Sequence, residues 1–139
     1  MNRKSQIIKD FLEEVLSSGK IENTGRYFHD NVIEEVPFPG QGPDLNGLMD
    51  VLRALRQAFP DMTWSVREQI EEEDKVVTRF EWTGTHQSEI FGVPPTGKQV
   101  TVWGIVIDKF EGEKVKSTRI IMDSLGLMAQ LGAFPPPGS

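Results

Sequence analysis

The chain has 139 residues, a net charge of −6 and a pI of about 4.9, enough for one domain with one core. The acidic balance and the lack of any basic stripe argue against nucleic acid or an anionic membrane surface as partner. Cysteine is absent, which excludes disulfides, thiolate metal sites and a cysteine nucleophile.

At the N-terminus no continuous apolar stretch of signal-peptide type occurs, and no run reaches the length of a membrane span, so a cytoplasmic protein is expected. Ile7, Ile8, Phe11, Leu12, Val15 and Leu16 recur at helical spacing between Lys9, Asp10, Glu13 and Glu14. This predicts an amphipathic helix ending near Gly19. A short second helix is expected over Lys20–Phe28, then a turn at His29-Asp30-Asn31 and a strand over Val32–Val36 stopped by Pro37 and Pro39. Asp44 or Asn46 is placed to cap a helix carrying Leu48, Leu52, Leu55 and Phe59, which Pro60 stops.

From Met62 the pattern changes to strands. Trp64, Val66, Glu68 and Ile70 alternate with Ser65, Arg67 and Gln69, and Glu71-Glu72-Glu73-Asp74 reads as a solvated acidic turn. Val76–Thr85 follows, with Phe80, Trp82, Gly84 and then His86 on one parity. After a loop over Gln87–Gly97, Val100–Phe110 and Val115–Asp123 form a hairpin around Glu111-Gly112-Glu113. A short helix and the Pro-rich tail Pro135–Ser139 close the chain. Hairpin-linked strands with helices on one face imply an α+β fold with a mostly antiparallel sheet, as one domain over residues 1–134.

Asp123 is the first candidate functional residue. It ends the apolar run Ile120-Ile121-Met122 and precedes a short helix. A carboxyl at the edge of a core is desolvated and able to exchange a proton near neutral pH. The same position suits a helix N-cap. His86 stands as a second acid/base group, or as a structural histidine at a strand end; His29, in the expected turn, reads as solvated. Arg119 shares strand parity with Asp123. It offers an internal salt bridge, a cation that lowers the Asp123 pKa, or a forked anchor for a substrate carboxylate. Trp82, Trp103, Phe28 and Tyr27 suit the walls of a pocket for a flat ligand, or plain core packing. Two isolated histidines make no metal site, and Thr96-Gly97-Lys98 reads as a turn rather than a phosphate loop. Large apolar residues on both parities of the strands, Trp103, Ile105 and Ile107 against Val100, Val102 and Val106, predict a homodimer formed by the outer sheet face.

Three blocks together, Phe59-Pro60-Asp61, Gly84-Thr85-His86 running on to Phe91-Gly92-Val93-Pro94-Pro95-Thr96-Gly97-Lys98, and Met122-Asp123-Ser124-Leu125-Gly126-Leu127-Met128 with Gln130-Leu131-Gly132, resemble the SnoaL-like polyketide (ester) cyclase family. That family lies within the nuclear transport factor two-like superfamily. The resemblance implies a cone-shaped curved sheet wrapped round a long helix, with a pocket between them. It implies intramolecular aldol condensation of a small hydrophobic, carbonyl-bearing substrate by an aspartate acid/base, without metal or other cofactor, in a homodimer. The aspartate of that pattern matches Asp123, whereas Arg119 stands where the family often carries Trp. An epoxide hydrolase group of the same superfamily uses an Asp-Arg-Asp arrangement that Arg119 and Asp123 resemble in part, with Asp108 the nearest second aspartate. A dimeric ligand-binding protein without turnover is the third expectation.

Overall fold

The computed structural model describes residues 3–133; the Pro-rich tail lies outside the described residues. The first helix begins as α1 (Arg3–Phe11) and widens into a π-helical segment, Leu12–Ser17. The extra residue per turn lets Leu12, Val15 and Leu16 all point inward with Ile8 and Phe11, while Glu14 faces the following segment. Gly19 ends the helix at φ +80°, a conformation that glycine adopts without a Cβ penalty.

The expected second helix is a 3₁₀ segment, Ile21–Arg26, and the strand after it starts earlier than the turn signal suggested. β1 spans Phe28–Glu34 and includes His29, Asp30 and Asn31. Pairing with a long partner strand outweighs the turn preference of that tripeptide. His29 on β1 reaches the carbonyl of Glu111 at 2.7 Å through Nε2. The second long helix, α2 (Asp44–Ala58), starts after Pro43 without a side-chain cap, so neither Asp44 nor Asn46 serves as expected. Asp44 instead adopts φ +63°.

Four strands then follow: β2 (Thr63–Glu72), β3 (Lys75–Thr85), β4 (Gln99–Glu111) and β5 (Lys114–Met122). They join β1 in a five-stranded sheet of order β1-β5-β4-β3-β2. All neighbours are antiparallel except β1 and β5. Register shifts at Val66/Glu68 and Lys109/Phe110 mark bulges, which bend a sheet and increase its twist. The sheet curves round α1, its π segment and α2, and buries Phe80, Trp82, Val100, Val102, Val106, Phe110 and Val115 against them. Gly104 sits inside this curve, paired with Phe80 and Met122. A Cβ there would meet the Phe80 ring at 2.6 Å, so the glycine admits the ring to the core.

The fold is therefore α+β with a curved, mostly antiparallel sheet, as the strand pattern predicts. No helix among the described residues is long and apolar enough to cross a membrane. The alternation along β4 is strict: Val100, Val102, Val106, Asp108 and Phe110 are buried, while Trp103 and Ile105 are exposed.

Candidate active site

A cavity of about 60 Å³ lies between the sheet and the two helical layers. Ile8, Phe11, Leu12 and Leu16 line it from the first helix, and Leu48, Leu52 and Leu55 from α2. The sheet side is Phe28, Glu34, Trp64, Phe80, Val106, Asp108, Thr118, Ile120 and Met122. No cation is among these lining residues.

Asp108 dominates the electrostatics of this space. It continues the inward parity of Val100, Val102 and Val106, and is 3 % exposed. Its cross-strand partners are Thr118 on β5 and Val76 on β3. Burial pushes its carboxyl up to about 7. The Thr118 hydroxyl bonds to it and opposes the rise, and the nearby Glu34 carboxylate adds to it. Glu34 also pairs with Thr118, across the parallel β1–β5 ladder. Glu34, Thr118 and Asp108 thus form one row over three adjacent strands. At the usual inter-strand spacing this sets the two carboxyl-bearing Cα atoms about 10 Å apart. Glu34 is half-buried at the rim and accepts from the backbone N–H of Val36 at 3.1 Å. Burial raises its pKa first, with the backbone bonds to Val36 and Ile120 opposing.

Two carboxyls in one apolar space cannot both ionise freely. Asp108 is therefore poised to hold or release a proton near neutral pH, while the half-exposed Glu34 remains wetter. Beside the two carboxyls and the Thr118 hydroxyl, Trp64 adds a further polar group. Its side chain lines the cavity, and its Nε1 is buried with no hydrogen-bond partner.

The sequence-predicted site is placed differently. Asp123 caps the last helix, α3 (Ser124–Gln130), accepting from the backbone N–H of Gly126 at 2.9 Å. A side chain at Gly126 would collide with that carboxyl, so the pair Asp123–Gly126 is a matched cap. Arg119 does lie near Asp123, as parity implies: both border a shallow depression with Trp103, Gly104, Ile105, Ile107, Ile121 and Met122. That depression is on the outer face of the sheet. Arg119 pairs there with Glu35 at 3.0 Å, both side chains being substantially exposed. Asp123 is half-buried, and its carboxyl bonds to the Gly126 backbone rather than to Arg119 or His86.

His86 is fully buried. Its Nδ1 accepts the backbone N–H of Thr96 at 3.2 Å, which places the ring proton on Nε2. Backbone bonds from His86 to Lys98 and from Gly97 to His86 close the 86–98 loop, and the ring lies 5.5 Å from that of Phe59. It does not line the cavity. Among the four aromatic wall candidates, Phe28 lines the cavity. Trp82 is buried beside it, with its Nε1–H 3.4 Å from the Met122 sulfur. Tyr27 packs on Phe11 and donates its hydroxyl to Glu14, and burial with that bond drives its pKa up to about 12. Trp103 is 49 % exposed on the outer face. Among the described residues no group of three or more His, Asp or Glu side chains could hold a metal ion.

The chain matches the family model for SnoaL-like polyketide cyclase over residues 6–131. It resembles the crystal structure of a "putative polyketide cyclase" from Acidithiobacillus ferrooxidans at 31 % identity, with a TM-score of 0.83 over 95 % of this chain and 96 % of that one. IdmH from Streptomyces antibioticus, described in the same words, is 28 % identical with a TM-score of 0.81, covering 93 % of this chain and 98 % of that one. TsrD from Streptomyces laurentii is 25 % identical with a TM-score of 0.87, covering 95 % of this chain and 96 % of that one. No functionally curated protein matches the chain. The chain belongs to the SnoaL-like polyketide cyclase family.

Proposed function

We propose that this protein binds a small, neutral, largely apolar molecule bearing carbonyl groups in the cavity under α1 and α2, and that Asp108 moves a proton on it. The row of Glu34, Thr118 and Asp108 across an otherwise apolar cavity carries the reading. Ionised Asp108 takes a proton from a carbon between two carbonyls, and the electron pair delocalises into the enolate. That carbon then forms a bond to the carbon of a further carbonyl in the same molecule, whose C=O π electrons move onto oxygen, and Asp108 returns its proton to the new alkoxide. Glu34, at the rim, holds a second negative charge that keeps the Asp108 carboxyl a competent base. A lining without cations disfavours an anionic ligand. The cavity holds about 60 Å³, so a ring-sized ligand needs the lining to give way, with Leu48, Ile120 and Met122, all half-buried, the side chains that would move apart.

An assignment of Asp123, His86 and Arg119 as the catalytic set rests on the family match at Asp123 and on the sequence positions of the other two. It has less geometric support, since Asp123 caps a helix, His86 is held through Nδ1 away from the cavity and Arg119 pairs with Glu35. The epoxide hydrolase reading finds an interior aspartate in Asp108, but Arg119 faces outward on the other side of the sheet. Binding without turnover would need only the cavity. The homodimer expectation belongs to the proposal as well. Trp103, Ile105 and Ile121, at 49 %, 38 % and 60 % exposure, form an apolar outer face suited to a second copy.

The test is solvent-deuterium uptake at the carbon between the carbonyls of 2-acetyl-1-tetralone, followed by NMR. Enzyme-dependent uptake that disappears in Asp108→Asn supports proton transfer. Uptake unchanged in Asp108→Asn but lost in Asp123→Asn would return the role to Asp123. Binding of the diketone with no uptake by either protein would favour a binder.

A further inference from the structure

One residue that lines the cavity carries a buried hydrogen-bond donor that the protein itself leaves unused. Trp64 lies on β2 opposite Trp82, 8 % exposed, with its ring 4.7 Å from Phe80 and 6.1 Å from Trp82. Its backbone is held on both sides by one hydroxyl: Ser17 Oγ accepts from Trp64 N–H at 2.8 Å and donates to its carbonyl at 3.4 Å. Arg56 locks the same corner, donating to the carbonyls of Leu16, Ser17 and Met62. The indole is thus fixed by packing and by its backbone. Its Nε1–H has no partner. The other buried indole on this face, Trp82, does have one in Met122. An indole N–H donates only, so it needs an acceptor, and the acceptors in the lining, on Glu34, Asp108 and Thr118, make no hydrogen bond to it.

Asp108 and Trp64 do not share a row of the sheet. Asp108 pairs with Val76, which pairs with Glu71, while Trp64 pairs with Trp82, seven residues along β2 from Glu71. The carboxyls and the indole therefore enter the cavity from separate positions, with Phe80, Val106 and Met122 among the apolar lining.

We propose that Trp64 is a ligand-binding residue whose indole N–H donates to a carbonyl oxygen of the bound molecule, so that the site selects an apolar ring system with an acceptor oxygen held apart from the position that exchanges protons. This rests on the reading of the cavity as the ligand site, but not on Asp108 as its base. A rigid donor at one station and a carboxyl at another orient the ligand in one direction. A ligand with no acceptor oxygen leaves the indole unsatisfied and gains nothing from it.

The test compares 1-tetralone with tetralin, which differ by one carbonyl. The chain contains three tryptophans, so uniformly ¹⁵N-labelled protein gives three indole cross-peaks. That of Trp64 is identified by through-space contacts to the Phe80 and Trp82 rings. Tetralone is expected to move the Trp64 indole proton downfield, whereas tetralin moves it little. Trp64→Phe keeps the ring and removes the donor. It is expected to lower tetralone affinity roughly five-fold and leave tetralin affinity unchanged, abolishing the preference. Asp108→Asn is expected to keep the preference, which separates this proposal from the proton-transfer reading. The proposal is overturned if tetralone fails to bind, if it shifts the Trp64 indole no more than tetralin does, or if Trp64→Phe retains the preference. The wild-type shift alone decides the matter should that variant not fold.

Discussion

β4 and the end of β5 put an aspartate on each face of the same sheet, and the two sit in opposite environments. Asp108 points into the apolar interior, has only Thr118 to bond it across the ladder, and is held protonated up to about neutral pH. Asp123 follows β5 at the outer face, has its carboxyl committed to Gly126, and borders an open apolar depression. The contrast is one of solvation and partners rather than residue type. A carboxyl becomes useful for proton exchange where water is excluded and no cation fixes its charge. It becomes structural where backbone N–H groups are waiting for an acceptor.

The largest effect that can break this contrast is on activity. Asp108→Asn is expected to reduce deuterium exchange of 2-acetyl-1-tetralone roughly 100-fold or more, within the range of a lost general base, while Asp123→Asn changes it less than about three-fold. Comparable losses in both variants, at equal folded fraction by circular dichroism, would remove the distinction between the faces.

The interior face should also dominate the pH dependence of stability. Asp108 has a folded pKa of about 7, above its value of 3.8 in an unfolded chain. Between these values the native state holds a proton that the unfolded state has released, so stability falls as pH rises from about 4 to about 7. Glu34, also raised, acts in the same direction. Asp108→Asn removes the main contribution. The linkage corresponds to roughly 4 kcal/mol at most, and the variant should gain on wild type by up to that amount between pH 4 and pH 8. Urea melts at both pH values provide the check; parallel pH trends in the two proteins would contradict a protonated buried Asp108.

The outer face predicts a change in assembly instead. Trp103→Glu together with Ile121→Glu places charge in the exposed apolar patch without touching the core. Light scattering at micromolar concentration is expected to show a dimer for the wild type and a monomer for the double variant, with the fold intact. A wild-type monomer would leave that patch without its second copy.

How far the sequence revealed this arrangement follows from the same parity argument. The strand period put Trp103, Ile105 and Ile107 on one face and Val100, Val102 and Val106 on the other, and it placed Arg119 with Asp123. Continued by one step, the inward set reaches Asp108, so the interior carboxyl was present in the pattern. Its partner was not. Glu34 enters the cavity because β1 adds in parallel to β5, a long-range pairing that local periodicity does not encode. The turn-like tripeptide His29-Asp30-Asn31 further disguised β1 as loop. The family blocks located the fold correctly, whereas at the strand-ending Asp123 a helix cap and a catalytic acid share the same local sequence, so local pattern alone does not separate them.

On the outer face the cap itself offers a smaller test. Asp123→Ala removes the acceptor for the Gly126 N–H and should cost about 1 kcal/mol of stability, measured by urea unfolding. Gly126→Ala should cost a similar amount by forcing the carboxyl away, and combining the two should be less than additive, because both disrupt one interaction. Full additivity would mean that the two residues act separately.

The smallest expected effect concerns Arg119, and its smallness is informative. The guanidinium pairs with Glu35 at 3.0 Å on the solvent side, where the two side chains are 55 % and 42 % exposed. An exposed pair of this kind contributes about 0–1 kcal/mol and is screened by salt. Arg119→Trp should therefore shift stability by less than about 1 kcal/mol, with the difference shrinking at high salt. The sheet separates Arg119 from Asp108, so the acidic limb of the pH–rate profile should stay in place, and the affinity for neutral ketones should also be unchanged. A profile moved by a full pH unit would show that the outer face reaches the proton-exchanging group, and would return the site to the strand end where Asp123 stands.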